Sequence, residues 1–286
     1  MTSADSGAVR KTCLVTGATS GIGLPTARAL AQAGCRVIIV SRNPGKCERV
    51  SAELRDRTGN REVDFIAADL SLMAAVRRAA AEFRGRYDRL DVLINNAGIS
   101  PARRRETAEG YEQTFALNHL GHFLFTNLLL ELLLASSPAR VINVTSGIYR
   151  QGKLDFDDLH LRKKFSAMRV YANSKLANVL FTVELARRME GKGVTVNAMT
   201  PGLTRTNIGQ DEGGFFAWSK RLADFFGGKT PEQGADTLIW LATAPEFDSV
   251  TGRLYMGRRE LAMAGKARDP DLARRLWEVS EQLTGL

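Results

Sequence analysis

Short apolar runs alternate with helix-like segments along the whole chain, and this alternation constrains the fold most strongly. The runs predict strands at residues 12–15, 36–40, 63–67, 90–94, 140–144, 194–199 and 253–256. They are continuously apolar, which is typical of strands covered by helices on both faces of a parallel sheet. The sequence therefore predicts an α/β fold with a doubly wound, mostly parallel sheet of the Rossmann type.

The segments between the strands predict helices. They cover residues 25–33, 44–57, 71–84, about 110–134, a helix that contains Tyr171 and ends near Met189, and 231–243. No Pro/Ser-rich linker or change in composition divides the 286 residues. We therefore expect one domain over residues 1–286, with residues 1–10 flexible.

Charge and composition exclude several classes of protein. The net charge is +9, but the basic residues are scattered, and the densest group, Arg103-Arg104-Arg105, is followed directly by Glu106. Aromatic side chains do not alternate with these residues, so we expect no nucleic-acid partner. The cysteines and histidines lack metal-ligand spacing, so we expect no metal and a reducing compartment; they are Cys13, Cys35, Cys47, His119, His122 and His160.

The N-terminal residues 1–11 are polar and show no apolar core of a signal peptide. The most apolar stretch, residues 123–134, contains Thr126, Asn127 and Glu131 and is too short to cross a bilayer. We therefore expect no membrane span and a cytoplasmic location.

A glycine-bearing turn follows the first strand and opens a helix. It reads Thr16-Gly17-Ala18-Thr19-Ser20-Gly21-Ile22-Gly23. Glycine lets a backbone approach a pyrophosphate closely, and a helix N-terminus supplies free N–H donors. The spacing departs from G-x-G-x-x-G, and a tight strand–helix connection would also explain the glycines. We predict cofactor contacts from Gly17, Thr19, Ser20, Gly21, Ile22 and Gly23.

The end of the second strand indicates which dinucleotide binds. Folds that bind NAD place an acidic side chain here for the ribose 2′-hydroxyl. This chain has Ser41-Arg42 instead, so a guanidinium is available for a 2′-phosphate. This position favours NADP(H) over NAD. An ordinary surface arginine at the end of a strand would give the same sequence pattern.

Polar motifs also follow the later strands. They are Asp69-Leu70, Asn95-Asn96-Ala97-Gly98, Asn143-Val144-Thr145-Ser146 and Thr200-Pro201-Gly202-Leu203-Thr204-Arg205-Thr206. Ligands in open α/β sheets bind beyond the carboxyl ends of the strands, where all of these motifs fall. Taken singly, each could be an ordinary turn.

Tyr171 and Lys175 lie four residues apart, which places both on one face of a helix. A nearby positive charge favours the phenolate and lowers the pKa of a tyrosine. Such a pair can pass a proton to or from an alcohol or a ketone.

In this order, the motifs resemble the short-chain dehydrogenase/reductase family. The stretches Asn118-His119-Leu120-Gly121-His122-Phe123 and Ser174-Lys175-Leu176-Ala177-Asn178 are similar to its retinol dehydrogenase branch, which includes the WW-domain oxidoreductase. The tail Ala273-Arg274-Arg275-Leu276-Trp277-Glu278 is similar to that branch too. Relatives in the family are commonly dimers or tetramers, so the resemblance implies a homo-oligomer.

The resemblance also implies roles for the residues. Tyr171 would be the acid in ketone reduction and the base in alcohol oxidation, with Lys175 lowering its pKa and holding the nicotinamide ribose. Ser146 would hydrogen-bond the substrate oxygen, and Asn118 would hold a water that links Lys175 to solvent. The remaining cofactor contacts would come from Asp69 and Leu70 at the adenine, Asn96, Ala97 and Gly98 at the adenosine ribose, and Pro201, Gly202, Leu203 and Thr206 near the carboxamide.

Two features concern the substrate. Ser146 precedes Tyr171 by 25 positions, and the insertion between them, residues 150–165, is expected to form a loop and a short helix beside the site. Residues 207–229 contain Phe215, Phe216, Trp218, Phe225 and Phe226, which predict an apolar lid and a bulky apolar substrate. These aromatic residues could equally pack the segment onto the domain or contact a partner or membrane surface.

The sequence therefore predicts an NADP(H)-dependent oxidoreductase that interconverts a ketone or aldehyde and an alcohol. One alternative is a catalytically idle NADP(H)-binding sensor or interaction module of the same fold. A third hypothesis is an epimerase or dehydratase of the extended branch. Those chains carry a separate substrate domain, and 286 residues leave little room for one.

Overall fold

In the part of the chain that the structure describes, eight strands, numbered along the chain, form one sheet. The computed structural model describes residues 10–204 and 228–286, so residues 1–9, Thr206 and residues 207–227 of the predicted lid lie outside the described residues. The strands are β1 (Thr12–Thr16), β2 (Arg36–Ser41), β3 (Val63–Ala67), β4 (Val92–Asn95), β5 (Ala139–Val144), β6 (Val194–Met199), β7 (Leu254–Met256) and β8 (Arg259–Glu260). Their spatial order is β3-β2-β1-β4-β5-β6-β7-β8.

The strands from β1 to β7 pair in parallel, and β8 pairs antiparallel with β7. The order reverses between β1 and β4, which leaves a crevice at the carboxyl ends of these two strands. The predicted doubly wound, mostly parallel sheet is confirmed. All seven predicted strands form with ends within two residues of the prediction, and β8 was not predicted.

Helices connect the strands and cover both faces of the sheet. They are α1 (Gly23–Gln32), α2 (Pro44–Thr58), α3 (Met73–Arg86), α4 (Gln113–Phe115), α5 (His122–Leu128), α6 (Leu130–Ala135), α7 (Ala167–Arg188), α8 (Pro231–Thr243) and α9 (Pro270–Thr284). One apolar core lies under α1, α2 and α8, and the other lies under α3, α5, α7 and α9. Within the described ranges, no helix combines the length and apolarity that a membrane crossing needs.

The helix predicted over about residues 110–134 is not continuous. A π-helical turn, Ala116–Gly121, separates α4 from α5, and α6 follows as a separate segment. A Cβ at Gly121 would lie 2.0 Å from the carbonyl oxygen of Leu70, which follows β3. The absence of a side chain at Gly121 thus lets the π-helical turn approach the carboxyl end of β3.

The insertion between Ser146 and Tyr171 differs from the prediction in one respect. A 3₁₀ helix, Gly147–Gln151, directly follows Ser146. Residues 152–165 then run as turns and irregular chain without the short helix that the sequence led us to expect.

Candidate active site

A cavity of about 840 Å³ opens at the carboxyl ends of the parallel strands. Most of the residues predicted from the sequence line it: Gly17, Thr19, Ser20, Gly21, Ile22, Arg42, Asp69, Leu70, Asn96, Ala97, Gly98, Ser146, Tyr171, Lys175, Pro201, Gly202 and Leu203. Gly23 and Asn118 lie beside the cavity rather than on its wall. The volume suits a large organic ligand, since ligand pockets measure about 300–1,000 Å³.

The turns after β1 and β4 are joined by hydrogen bonds to Thr16. The Thr16 hydroxyl accepts from the N–H groups of Asn96, at 2.9 Å, and Ala97, at 3.0 Å. The Asn96 amide in turn donates to the Thr16 carbonyl at 2.8 Å. The two turns therefore form one continuous floor at the point where the strand order reverses.

The glycine turn needs its glycines for backbone conformation and for space. Gly17 has φ +67° and Gly21 has φ +57°, a region that side chains disfavour. A Cβ at Gly17 would lie 2.8 Å from the Cα of Ala97, and one at Gly23 would lie 2.5 Å from the carbonyl oxygen of Gly17. Gly23 thus shapes the turn by close packing, although it does not line the cavity.

The N-terminus of α1 faces this turn with Ile22 at its N-cap. An isoleucine side chain cannot accept the N–H hydrogen bonds that a polar N-cap residue would take. Uncapped N–H groups beside two positive-φ glycines suit an anion such as a pyrophosphate.

Two cations line the cavity at the end of β2. Arg42 is exposed, and Lys46, in the first turn of α2, is half-buried. Within residues 10–204 and 228–286, neither has an acidic partner. Lys46 was not among the residues predicted from the sequence, although its position four residues after Arg42, across the Asn43 N-cap, could have indicated it.

Ser146, Tyr171 and Lys175 meet on the opposite wall. Ser146 follows β5 and hydrogen-bonds the Tyr171 side chain, so the fold closes the 25-residue separation between them. The Lys175 ammonium lies 5.5 Å from the centre of the Tyr171 ring and donates to the Val144 carbonyl at 3.1 Å. Both side chains are buried, at 6% and 3% exposure, where they border the cavity.

Burial shifts the pKa of both groups. It raises the pKa of Tyr171, and the hydrogen bond from Ser146 only partly opposes this. The same desolvation lowers the pKa of Lys175 to about 8. We had expected Lys175 to lower the pKa of Tyr171; in the structure, desolvation dominates, and the phenol keeps its proton at neutral pH.

Asn118 lies behind Lys175 in the π-helical turn and is fully buried. Its side chain accepts from the Ile99 N–H at 2.9 Å, and donates to the Ile99 carbonyl at 3.1 Å and to the Ser174 hydroxyl at 3.0 Å. Gly98 lies between them, since a Cβ there would be 3.4 Å from Asn118 Oδ1 and 3.6 Å from Lys175 Nζ. Asn118 thus fixes the turn after β4 against α7.

Several residues that were not predicted from the sequence also line the cavity. Apolar side chains come from Leu117, Ile148, Leu203 and Met256, of which only Leu203 was predicted from the sequence. Leu203 and Met256 are large apolar residues that remain 47% and 39% exposed. Gln113 and Gln151 are polar residues of the lining that were not predicted either.

Comparison with known proteins agrees with this geometry. Residues 11–214 match the family described as short chain dehydrogenase. Retinol dehydrogenase 13 of Homo sapiens is 43% identical over 281 residues, which cover 96% of this chain and 85% of that protein.

Solved structures extend the likeness. An uncharacterized protein from Mycobacterium paratuberculosis has a TM-score of 0.76 and 32% identity, covering 96% of this chain and 93% of its own. A short chain dehydrogenase from Shigella flexneri in complex with NADP has a TM-score of 0.69 and 27% identity, covering 87% of this chain and 97% of its own.

Proposed function

We propose that this chain, which belongs to the short-chain dehydrogenase family, is an NADP(H)-dependent oxidoreductase that interconverts a bulky apolar ketone or aldehyde and its alcohol. Its family and relatives make it an oxidoreductase that acts on CH–OH groups of small molecules. The observation that carries the finer proposal is the contact of Ser146 with a buried, protonated Tyr171 beside Lys175 on the cavity wall.

The residues present fit a phosphorylated dinucleotide. The uncapped start of α1 and the turn with Gly17 and Gly21 would take the pyrophosphate. Arg42 and Lys46 would take the 2′-phosphate, with a bidentate guanidinium as the more selective contact. When bound, the nicotinamide supplies the hydride for carbonyl reduction or accepts it in alcohol oxidation.

Tyr171 would donate its proton to the carbonyl oxygen during reduction. Its raised pKa keeps the phenol protonated at neutral pH, which is the form that this step needs. Ser146 would hydrogen-bond the same oxygen, where negative charge develops. Lys175, without a carboxylate partner in the described part of the chain, would hold ribose hydroxyls. Its positive charge would stabilise the phenolate that Tyr171 becomes once its proton is on the product alcohol.

The substrate end supports an apolar substrate. Leu117, Ile148, Leu203 and Met256 line the same cavity as Tyr171, and apolar walls favour apolar ligands. The predicted lid of residues 207–229 would add the aromatic side chains that the sequence places there. The name of the human relative suggests retinoid alcohols and aldehydes as the first class to test.

A carbonyl panel tests this proposal directly. Purified protein is mixed with NADPH or NADH and with polyene, steroid-like, aromatic and short aliphatic carbonyl compounds, and loss of the reduced cofactor is followed by absorbance. We expect turnover with NADPH on bulky apolar carbonyls and weaker turnover on short ones. Tight NADPH binding without turnover on any class would favour the idle sensor instead.

A further inference from the structure

Two buried histidines flank the start of α5, and neither has a part in the chemistry proposed above. His119 and His122 are each 1% exposed. Nε2 of His119 lies 2.9 Å from the Ser280 hydroxyl in α9, away from the cavity floor. The His122 ring instead lies between Thr16 and Asn118, with Nε2 3.1 Å from Thr16 Oγ1 and Nδ1 3.2 Å from the Asn118 carbonyl oxygen.

The partners of His122 determine its tautomer. Burial and the charge of Lys175 lower the pKa of His122 to about 3, so the ring is neutral and carries one N–H. The Asn118 carbonyl can only accept, so Nδ1 carries the proton and Nε2 is the acceptor. The Thr16 hydroxyl already accepts from the N–H groups of Asn96 and Ala97. Its single proton has two acceptors within reach, the Ile94 carbonyl at 3.2 Å and Nε2 of His122 at 3.1 Å. With Nδ1 protonated, only a proton from Thr16 can join Oγ1 to Nε2, so we assign this proton to Nε2.

The ring also replaces a missing helical hydrogen bond. In a regular α-helix the N–H of His122 would bond to the Asn118 carbonyl. Here that N–H bonds to the carbonyl of His119. The Asn118 carbonyl therefore accepts from the imidazole N–H of His122 instead of its backbone N–H. This bond fixes the direction of the Asn118 carbonyl at the π-helical turn.

We propose that His122 is a positioning residue that couples the floor of the cofactor cavity to Asn118 through one directed hydrogen-bond chain. The chain runs from the N–H groups of Asn96 and Ala97 to Thr16, then to His122, and then to the Asn118 carbonyl. This inference rests on the proposed function, because Asn118 faces Lys175 across Gly98. In this chain, Nε2 of His122 contacts Thr16 in the cavity floor, and Nδ1 contacts the Asn118 carbonyl.

Two substitutions separate these contacts. An asparagine amide reaches the place of Nδ1, so His122→Asn retains the bond to Asn118 and loses the acceptor for Thr16. A glutamine amide reaches the place of Nε2, so His122→Gln retains the acceptor for Thr16 and loses the donor to Asn118. His119→Gln is the matched control, since it makes the same change one turn away and can still bond to Ser280.

The measurements are kcat for carbonyl reduction, the Kd of NADPH and the melting temperature of each variant. We expect His122→Gln to lower kcat about 10-fold or more with NADPH binding unchanged, since small misplacements near the reacting groups are costly. We expect His122→Asn to raise the Kd of NADPH about 3-fold, since one hydrogen bond to the floor is lost, and to retain most of kcat. His119→Gln should change neither quantity.

Equal losses of kcat and binding in the two His122 variants, or the same losses in His119→Gln, would overturn the proposal and make His122 a packing residue. Unchanged kcat and Kd in both His122 variants would overturn it too. A wild-type protein that binds NADPH without turnover would contradict the proposed function instead. A Kd of NADPH raised in His122→Asn and unchanged in His122→Gln would then still support the contact between Nε2 and Thr16, and equal Kd values in the two variants would overturn it.

Discussion

Replacing Arg42 with aspartate reverses the charge at the end of β2. In the structure Arg42 is exposed at the cavity wall beside Lys46, with no acidic partner among the described residues. The substitution removes a donor for the 2′-phosphate of NADPH and supplies an acceptor for the 2′-hydroxyl of NADH. The ratio of the two affinities should therefore move strongly toward NADH.

The magnitude follows from the contact that is lost. A hydrogen bond to a charged group contributes about 1.5–3 kcal/mol, and each 1.4 kcal/mol is about a factor of ten. The Kd of NADPH should thus rise by about 10- to 100-fold, and Lys46 should retain the remaining attraction. Repulsion between the new carboxylate and the phosphate adds to the loss, while NADH should bind as well as before or better.

Fluorescence titration of NADPH and NADH at two salt concentrations measures this change. Arg49→Asp is the matched control, because Arg49 is exposed on α2 outside the cavity lining and changes the net charge equally. An unchanged affinity ratio in Arg42→Asp would refute the assignment of the 2′-phosphate to this side chain. The same shift in Arg49→Asp would show that only long-range charge matters.

Two further predictions concern stability. Gly121→Ala should lower the free energy of unfolding by about 1–3 kcal/mol in urea titrations, because the added Cβ would meet the Leu70 carbonyl. Gly85→Ala is the control and should be neutral or stabilising, because the space around Gly85 on α3 is open. Equal effects of the two substitutions would refute the close approach of Gly121 to Leu70. Burial lowers the pKa of His119 and His122 from 6.5 to about 3, so the unfolded chain binds more protons and stability should fall as the pH drops below about 6.5. Between pH 7.5 and 5.5, each should cost about 1.4 kcal/mol, and His119→Phe should remove one such contribution; an unchanged pH dependence would contradict the burial argument.

Much of the sheet could be predicted because strands that are buried on both faces have continuously apolar sequences. The polar motifs then fall at the carboxyl ends of β1 to β6, where parallel topology brings them together. Arg42 could be found for the same reason, since its position relative to β2 is fixed by the strand.

The break in the helix near Asn118 was not predictable from periodicity. The π-helical turn depends on the close approach of Gly121 to the Leu70 carbonyl, which is a tertiary contact. The helical segment that carries Trp277 was noticed only as a resemblance, although Pro270 and Gly285 mark the ends of α9. The direction of the pKa shift of Tyr171 also depends on burial, which residue spacing does not contain.

The replacement of Tyr171 by phenylalanine tests the central claim most directly, with turnover of the best carbonyl substrate and NADPH binding measured on the same preparation. Phenylalanine keeps the buried ring and removes only the hydroxyl that bonds to Ser146. We predict that kcat falls by at least about 100-fold, as for a lost general acid, while the Kd of NADPH changes less than about 3-fold. Retained turnover would contradict the account, and an equal loss of binding and turnover would make Tyr171 a structural residue.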